Sequence, residues 1–559
     1  MPSPLKPAER PTHTEVVVRR RSRLTAARAI LAIAATSSLV LAGCSMEGAK
    51  GVYGSGPNAI IRVNAGEPQS GLLPTDTNEN MGGRVVDSLF TGLYIYRADG
   101  TPELANAESV ETTDNQHFVV KLKRDWTFTD GTPVKASNYV RAWNFGASIE
   151  NLQKQQILFS AIAGYDDVAE KGATTNQMRG LKVVDDYTFT VDLTSPNIDF
   201  KLSLGFTPFK PLPDIFFVEG KDKFGQNPVG NGPYKFKQWR HNVQLDVVRN
   251  DDYKGAKPKN GGIAFIMYES YDSAYTDLLS NNLDALDTIP NSALRSFRKT
   301  LGDKAITQTT AQMLALAVPE YLDHFQDDDE GRLRRQAISM SINRQQIIDV
   351  VFRGLRNPSL DFTARSVPGW DGNIPGNENV KYNPDMARQK WAQANAIRPW
   401  GGTFGIAYNS DGDHKQWVDA VAIQIKNTLK INAEGKPYAT FKQIRDEMTK
   451  HTLKSAGRNG WQGDYPSLMN FLQSQYLSDG GSNDSVYKNP EFDAKMAQAQ
   501  QAVDPAESSR LVNQAQALLL RDLPGIPLWD YIGAAGVGDG IKGALGWNGL
   551  FDFPNLTKE

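Results

Sequence analysis

The stretch Arg458-Asn459-Gly460-Trp461-Gln462-Gly463-Asp464-Tyr465-Pro466 gathers one guanidinium, one carboxylate, two aromatic rings and two glycines into nine positions. A sheltered Asp464 is suited to an ammonium, and Arg458 can hold a carboxylate through two parallel N–H donors. Gly460 and Gly463 would let backbone approach a ligand and pair with its amides, as in strand addition. Trp461 and Tyr465 can wall such a site, with Gln462 between them. A buried cleft has to satisfy every charge it takes from water, because an unpaired buried charge is very costly. The residues alone also permit a plainer reading: a surface loop with a solvated Asp464 and a packed Trp461.

Nothing else in the chain asks for bond-breaking chemistry. The six histidines, His13, His117, His241, His324, His414 and His451, form neither HExxH nor a close pair suited to zinc. There is no GxSxG elbow. The acidic run Asp327-Asp328-Asp329-Glu330 lacks the alternating spacing of a calcium loop, and so does Asn409-Asp411-Asp413. Gly230, Gly232 and Pro233 are not followed by the Gly-Lys-Ser/Thr of a phosphate loop. No catalytic residue, cofactor or metal is expected. Lys and Arg (61) nearly balance Asp and Glu (63), giving a formal net charge of −2. A nucleic-acid partner would require a basic surplus or face, so it is not expected.

The 559 residues exceed one ordinary domain, and 40% apolar with 22% charged residues is a globular composition. Arg19, Arg20, Arg21, Arg23 and Arg28 precede an uncharged, largely apolar run, Ala29–Leu41, which ends in Leu41-Ala42-Gly43-Cys44. This is the layout of a secretory signal, too short for a comfortable membrane span. Arg20-Arg21 also raises twin-arginine export, though the following residues fit it poorly. Cys44 is the only cysteine, so no internal disulfide or CxxC site is possible. Residues 46–57, rich in glycine, serine and small side chains, read as a flexible tether.

Alternating patterns predict strands at Asn58–Asn64, Val243–Arg249 and Ile263–Tyr268, with antiparallel pairs in Glu108–Leu122 and Val183–Leu193. Asp130-Gly131 marks a tight turn, with Trp126 and Phe128 facing a core. Ser137 is the expected N-cap of a helix through Trp143. Helical periodicity covers Gly331–Val351, Asp385–Ala396, Lys415–Leu429, Phe492–Val503 and Ala506–Arg521. Strands alternating with helices argue for α/β lobes.

The segments WTFTDGTPVKAS (Trp126–Ser137), NPVGNGPYKFKQW (Asn227–Trp239), RNDDYKG (Arg249–Gly255), LRRQAISMSINRQQII (Leu333–Ile348), KYNPDMARQKW (Lys381–Trp391) and IPLW (Ile526–Trp529) occur in one order. In that order the chain resembles family 5 of the solute-binding proteins of ABC importers, the peptide- and oligopeptide-binding branch. Asn138, Asn343 and Asn281-Asn282 depart from the family pattern, at positions where capping and turns are at stake. Leu-Ala-Gly-Cys likewise resembles the bacterial lipoprotein signal, which implies lipidation of Cys44 and anchoring to the outer face of the cell membrane.

The resemblance implies a two-lobed, type II periplasmic-binding-protein-like α/β fold, hinged by two crossing segments, with an extra subdomain in the first lobe. The expected division is a signal at 1–43 and a tether at 44–57. Lobe one covers 58–308 plus 526–559, with its subdomain at about 91–182, and lobe two covers 309–525. By resemblance, Asp464 clamps a peptide's amino terminus and Arg458 meets the carboxylate of a short one. Asp76, Thr77, Asn78, Glu79 and Asn80 resemble the family's first-lobe ligand strand, where a structural role is the simpler reading. The implied partners are a short peptide and, on separate chains, a permease and ATPases. The protein itself is expected to be a monomer. The same fold with an oligosaccharide, nickel chelate or haem, and a lipoprotein hydrolase of cell-wall peptides, are the rival readings.

Overall fold

The computed structural model describes residues 53–559. The expected signal, Cys44 and most of the expected tether lie outside the described residues. The last tether residues are not free of the body. Arg62 lies over the Tyr53 ring at 5.1 Å, and Arg249 Nη1 donates to the Pro57 carbonyl at 2.5 Å. An aromatic face and an open carbonyl give nearby arginines something to hold, so Tyr53 and Pro57 are tied to the body.

Fifteen of the nineteen strands among the described residues build the two main sheets. They are β1 (Ile60–Ala65), β2 (Ala107–Glu111), β3 (His117–Leu122), β4 (Leu181–Asp185), β5 (Thr188–Asp192), β6 (Tyr234–Arg240), β7 (Gln244–Arg249) and β8 (Gly262–Met267), followed by β9 (Ala285–Leu286), β10 (Ala305–Ala317), β11 (Arg356–Pro358), β12 (Thr403–Asn409), β13 (Asn432–Tyr438), β14 (Ala456–Gln462) and β15 (Gly525–Val537). One large sheet has the order β13-β12-β14-β10-β15-β9-β1-β8-β7-β6, with β11 paired to β15 off that path. Its parallel pairs, β1 with β8 and β9, and β12 with β13 and β14, sit towards the two ends. Between them β10 and β15, thirteen residues each, run antiparallel from Ala305↔Gly536 to Ala317↔Gly525. Register shifts after Thr309 and Leu314 bend this pair, as bulges do. These two strands alone carry the chain between the two ends of the sheet.

A separate sheet, β2-β3-β5-β4, is built from the two predicted hairpins. Its strands extend to Asp192, past the expected limit of the inserted subdomain at 182. β3 reads exposed-buried in strict alternation, the pattern of a sheet with one face in a core. Trp143, Tyr139 and Phe189 pack edge-on and stacked beneath that sheet.

The asparagine departures have local explanations. Asn343 caps the helix Arg344–Val350 by accepting from Gln346 N at 3.0 Å, a role asparagine fills as well as aspartate. It also divides the predicted Gly331–Val351 helix into Asp329–Met340 and Arg344–Val350. Asn281 sits at φ 56°, a left-handed position that asparagine tolerates better than most residues. The helix Ala136–Ala147 is capped differently from expectation. Ser137 lies inside it, and the Asn138 side chain reaches back to accept from Lys135 N at 2.8 Å.

The acidic run is structural too. Asp328 caps the helix that follows by accepting from Gly331 N at 2.7 Å. Glu330 is buried against His324, Arg334 and Arg398.

The glycines of the Asn227–Trp239 segment are packing devices. A Cβ on Gly230 would stand 1.9 Å from the Leu89 carbonyl oxygen, and one on Gly232 would stand 2.5 Å from the Leu89 carbonyl carbon. Gly230→Ala is therefore expected to cost roughly 1–3 kcal/mol of stability through overpacking. Thermal unfolding of the variant checks this, and an unchanged midpoint would show that the Leu89 backbone can yield.

Candidate functional site

A cavity of about 1500 Å³ lies where the two ends of the large sheet face each other. One wall is the segment Thr77–Met81 and the helix Asn80–Leu89 behind it. The opposite wall is Arg458–Asp464, on β14 and the turn after it. The walls touch across the cavity and beyond its rim. The Asn80 side-chain amide donates to Gln462 Oε1, and Gln69 Nε2 donates to Asp446 Oδ1 at 3.0 Å. Ser467 Oγ donates to Asp199 Oδ2 at 2.5 Å, and Ile198 N donates to the Gln500 carbonyl at 2.8 Å.

β14 has an unusual position in its sheet. Along one side it pairs with β10 from Ala317↔Gly457 to Gln312↔Gln462. Along the other side its pairing with β12 covers only Ala456 and Gly457. From Arg458 onward that second edge has no strand partner among the described residues. An unpaired strand edge offers a row of N–H and C=O groups to an extended ligand.

At one end of this edge stands Asp464. Its Oδ2 accepts from Asn470 Nδ2 at 3.0 Å, and its own backbone N donates to Asn470 Oδ1 at 2.8 Å. Asn470 Oδ1 also accepts from Trp461 Nε1 at 3.1 Å, so one buried amide fixes both the carboxylate and the indole. No cation among the described residues lies within ion-pairing distance of Asp464. Burial, relieved in part by Asn470 and reinforced by the nearby Asp87 charge, pushes its carboxyl up to about 7. Asp87 itself is occupied by Lys210 and by the Thr207 hydroxyl at 2.9 Å.

At the other end stands Arg458. Its Nε donates to Asn409 Oδ1 at 2.8 Å, and its guanidinium lies over the Phe441 ring at 4.6 Å. Neither terminal nitrogen has a partner among the described residues. Burial lowers its pKa to about 10, which leaves it charged at neutral pH. Six residue steps lead from Arg458 to Asp464, a span of at most ~22 Å when fully extended.

Arg458, Gly460, Trp461, Gln462, Gly463 and Asp464 all border the cavity, together with Thr77, Asn78, Glu79 and Asn80. Two predicted site residues do not. Tyr465 turns into the core built around residues 59–265. There its ring tilts against Phe206 at 6.3 Å, and its hydroxyl donates to Gln473 Oε1 at 3.1 Å. A large aromatic ring gains more from a dry core than from a cavity wall. Asp76 lies behind the wall, its carboxylate 3.8 Å from Lys154 Nζ.

The two glycines also differ from expectation. A Cβ on Gly460 would meet the Met313 carbonyl at 2.7 Å, and one on Gly463 would meet the Trp547 ring at 2.7 Å. The space they leave is taken by the protein's own β10 and Trp547. Glu79 is likewise consumed locally, accepting from Met81 N at 2.6 Å and Gly82 N at 2.8 Å as the helix cap. Asn78 keeps a buried Oδ1 without a partner.

Asn470, Asp87 with Lys210, Trp547 and Arg356 were not identified from the sequence. Asn470 stands only six residues from Asp464 but is marked by no pattern of its own, and the others reach the site through long-range packing.

Residues 101–483 match the family described as bacterial extracellular solute-binding proteins, family 5. The chain belongs to that family. The chain is 28% identical to the periplasmic oligopeptide-binding protein OppA of Salmonella typhimurium, over 92% of this chain and 94% of that protein. It is 24% identical to the oligopeptide-binding protein OppA of Bacillus subtilis, over 91% of this chain and 95% of that one. Haemophilus influenzae OppA, solved in complex with RPPGFSPFR, superposes with a TM-score of 0.81 at 23% identity, covering 90% of this chain and 99% of its own. The expected type II periplasmic-binding-protein α/β fold is thereby established. Family 5 proteins bind substrates, and the family name places them outside the cytoplasm.

Proposed function

We propose that this family 5 protein captures short peptides between two lobes and delivers them to an ABC permease, with the ATPases on further chains. One observation carries the reading: a partly buried carboxylate with no cation beside it, Asp464, and a guanidinium with no carboxylate beside it, Arg458, stand at the two ends of the same open strand edge on one cavity. A peptide supplies the complement to each, an ammonium, a row of amides and a carboxylate. The relatives' names, oligopeptide-binding proteins, support the same ligand class. The lobes of this reading are 58–308 with 526–559, and 309–525, so both crossings fall within β10 and β15. A ligand touching both walls favours the closed arrangement by its differential contacts, the hinge mode attributed to periplasmic binding proteins as a class. No covalent step is part of this role. The protein acts as a monomer, carried on the outer face of the cell membrane by acyl chains on Cys44.

Titration calorimetry with a mixed set of free di- to pentapeptides tests the reading. Saturable binding with release of a proton near neutral pH is expected, and no heat with any peptide would remove it. Fractionation of a Cys44→Ser variant tests the anchor, since the variant should leave the membrane fraction.

The pH dependence follows from Asp464. Only its ionised form pairs with an ammonium, and its empty-state pKa is raised to about 7. Affinity should therefore fall as pH drops below about 7, approaching tenfold per unit, and should also fall above about 8, where the peptide's own α-amine deprotonates. A flat affinity between pH 5 and 7 would contradict the assignment of Asp464.

A further inference from the structure

The turn that carries Asp464 also reaches across to the other lobe. Among the buried apolar residues of 309–525, Tyr465 alone packs in the core built around residues 59–265. The residues after it stay with lobe two: Leu468, Met469, Phe471 and Leu472 share a core with Ala311, Met313 and Phe362. Tyr465 is 3% exposed. Its ring leans on Phe206, while its hydroxyl is held within its own lobe by Gln473. An aromatic side chain sunk into a partner's core is the kind of anchor that dominates an interface.

Two polar contacts flank it. Ser467 Oγ caps the helix Leu468–Tyr476 by accepting from Met469 N at 3.1 Å, and donates across to Asp199 Oδ2 at 2.5 Å. Ile198 N donates to the carbonyl of Gln500, at the end of the helix Pro490–Gln500, at 2.8 Å. The facing segment of lobe one is fixed in advance. Asp199 N donates to Asn197 Oδ1 at 3.0 Å, and the Phe200 ring packs against Phe118 and Phe209. The Asp199 carboxylate is buried, and the Ser467 hydroxyl is its one donor among the described residues. Tyr465, Ser467, Ile198, Asp199 and Gln500 do not border the cavity, so they act on a ligand only through the lobes.

We infer that Tyr465 and Ser467 form a closing clasp: they are positioning residues that dock lobe two onto Phe206 and Asp199, so that closure and the placing of Asp464 are one movement. The clasp belongs to the two lobes of the reading above and does not depend on what the ligand is. Parting the lobes exposes the Tyr465 ring and returns Asp199 to water. A ligand's apparent affinity falls with the fraction of protein that can close.

Amide exchange at Ile198 reports the clasp directly, because its acceptor lies in the other lobe. Empty full-length wild type is compared with Tyr465→Ala and Ser467→Gly. Glycine keeps most of the worth of a helix cap, so Ser467→Gly spares the helix but leaves Asp199 without a donor on closing, a costly state for a buried acceptor. In both variants Ile198 should exchange at least tenfold faster. Unchanged exchange in β3, within the same lobe, and a cooperative melting transition show that the variants are folded. In calorimetry both should bind trialanine at least tenfold more weakly, yet keep the wild-type ratio of affinities for free and N-acetylated trialanine, because Asp464 is untouched.

Wild-type exchange at Ile198 in one folded variant removes that residue from the clasp, and in both it overturns the inference while leaving the peptide reading intact. Wild-type affinity in both variants overturns it equally. Failure of trialanine to bind wild type counts against the peptide reading alone, and the exchange comparison on empty protein still decides the clasp.

Discussion

Replacing Asp464 by alanine is expected to weaken binding of a free-amine peptide by about two to three orders of magnitude. Breaking a buried pair by removing one partner costs ~3–5 kcal/mol, because the charge left behind is unsatisfied. Here that charge is the peptide's ammonium, enclosed where no other free carboxylate meets it, since Lys210 already occupies Asp87. N-acetylation of the peptide removes the same interaction from the other side. Wild-type protein should lose comparable affinity on acetylation, whereas Asp464→Ala should bind acetylated and free peptides alike. Asp464→Asn keeps an acceptor for Asn470 Nδ2 and serves as the folding control. Equal calorimetric affinities of wild type and Asp464→Ala for the free peptide would take the residue out of the site.

Arg458→Ala should cost about two orders of magnitude for a peptide with a free carboxy terminus. Truncating one partner of a desolvated, hydrogen-bonded charge pair typically costs 2–5 kcal/mol or more, largely through the stranded partner. The guanidinium is already placed by Asn409 and by the Phe441 ring, so little ordering is left to offset the gain. A double-mutant cycle combining Arg458→Ala with C-terminal amidation isolates the contact. Strong non-additivity is expected. Additive losses would mean that Arg458 and the carboxylate do not meet.

Much of the fold follows from period-2 and helical patterning. β3 and β5 were legible because alternate residues of each are buried, whereas β4 is exposed from Lys182 to Asp185 and follows from its pairing with β5. The helix break at Asn343 was not, because apolar periodicity continues through Ile342 and Ile347 while the cap interrupts the backbone. The Ser137 cap failed for a related reason: the Asn138 side chain, one position later, closes the same helix end from inside.

At the site, residue chemistry by itself determined that Arg458 and Asp464 are an opposite-charge pair on one short stretch, and the order of motifs determined the family. Tertiary structure decided which neighbours share the cavity. It turned Tyr465 into a core, filled the space of Gly460 and Gly463 with β10 and Trp547, and brought Asn470, on the next helix, onto both Asp464 and Trp461. The physical reason is that burial and charge pairing are properties of surfaces brought together across the sheet. A local sequence shows which groups need partners, and only the folded chain shows which partners they have.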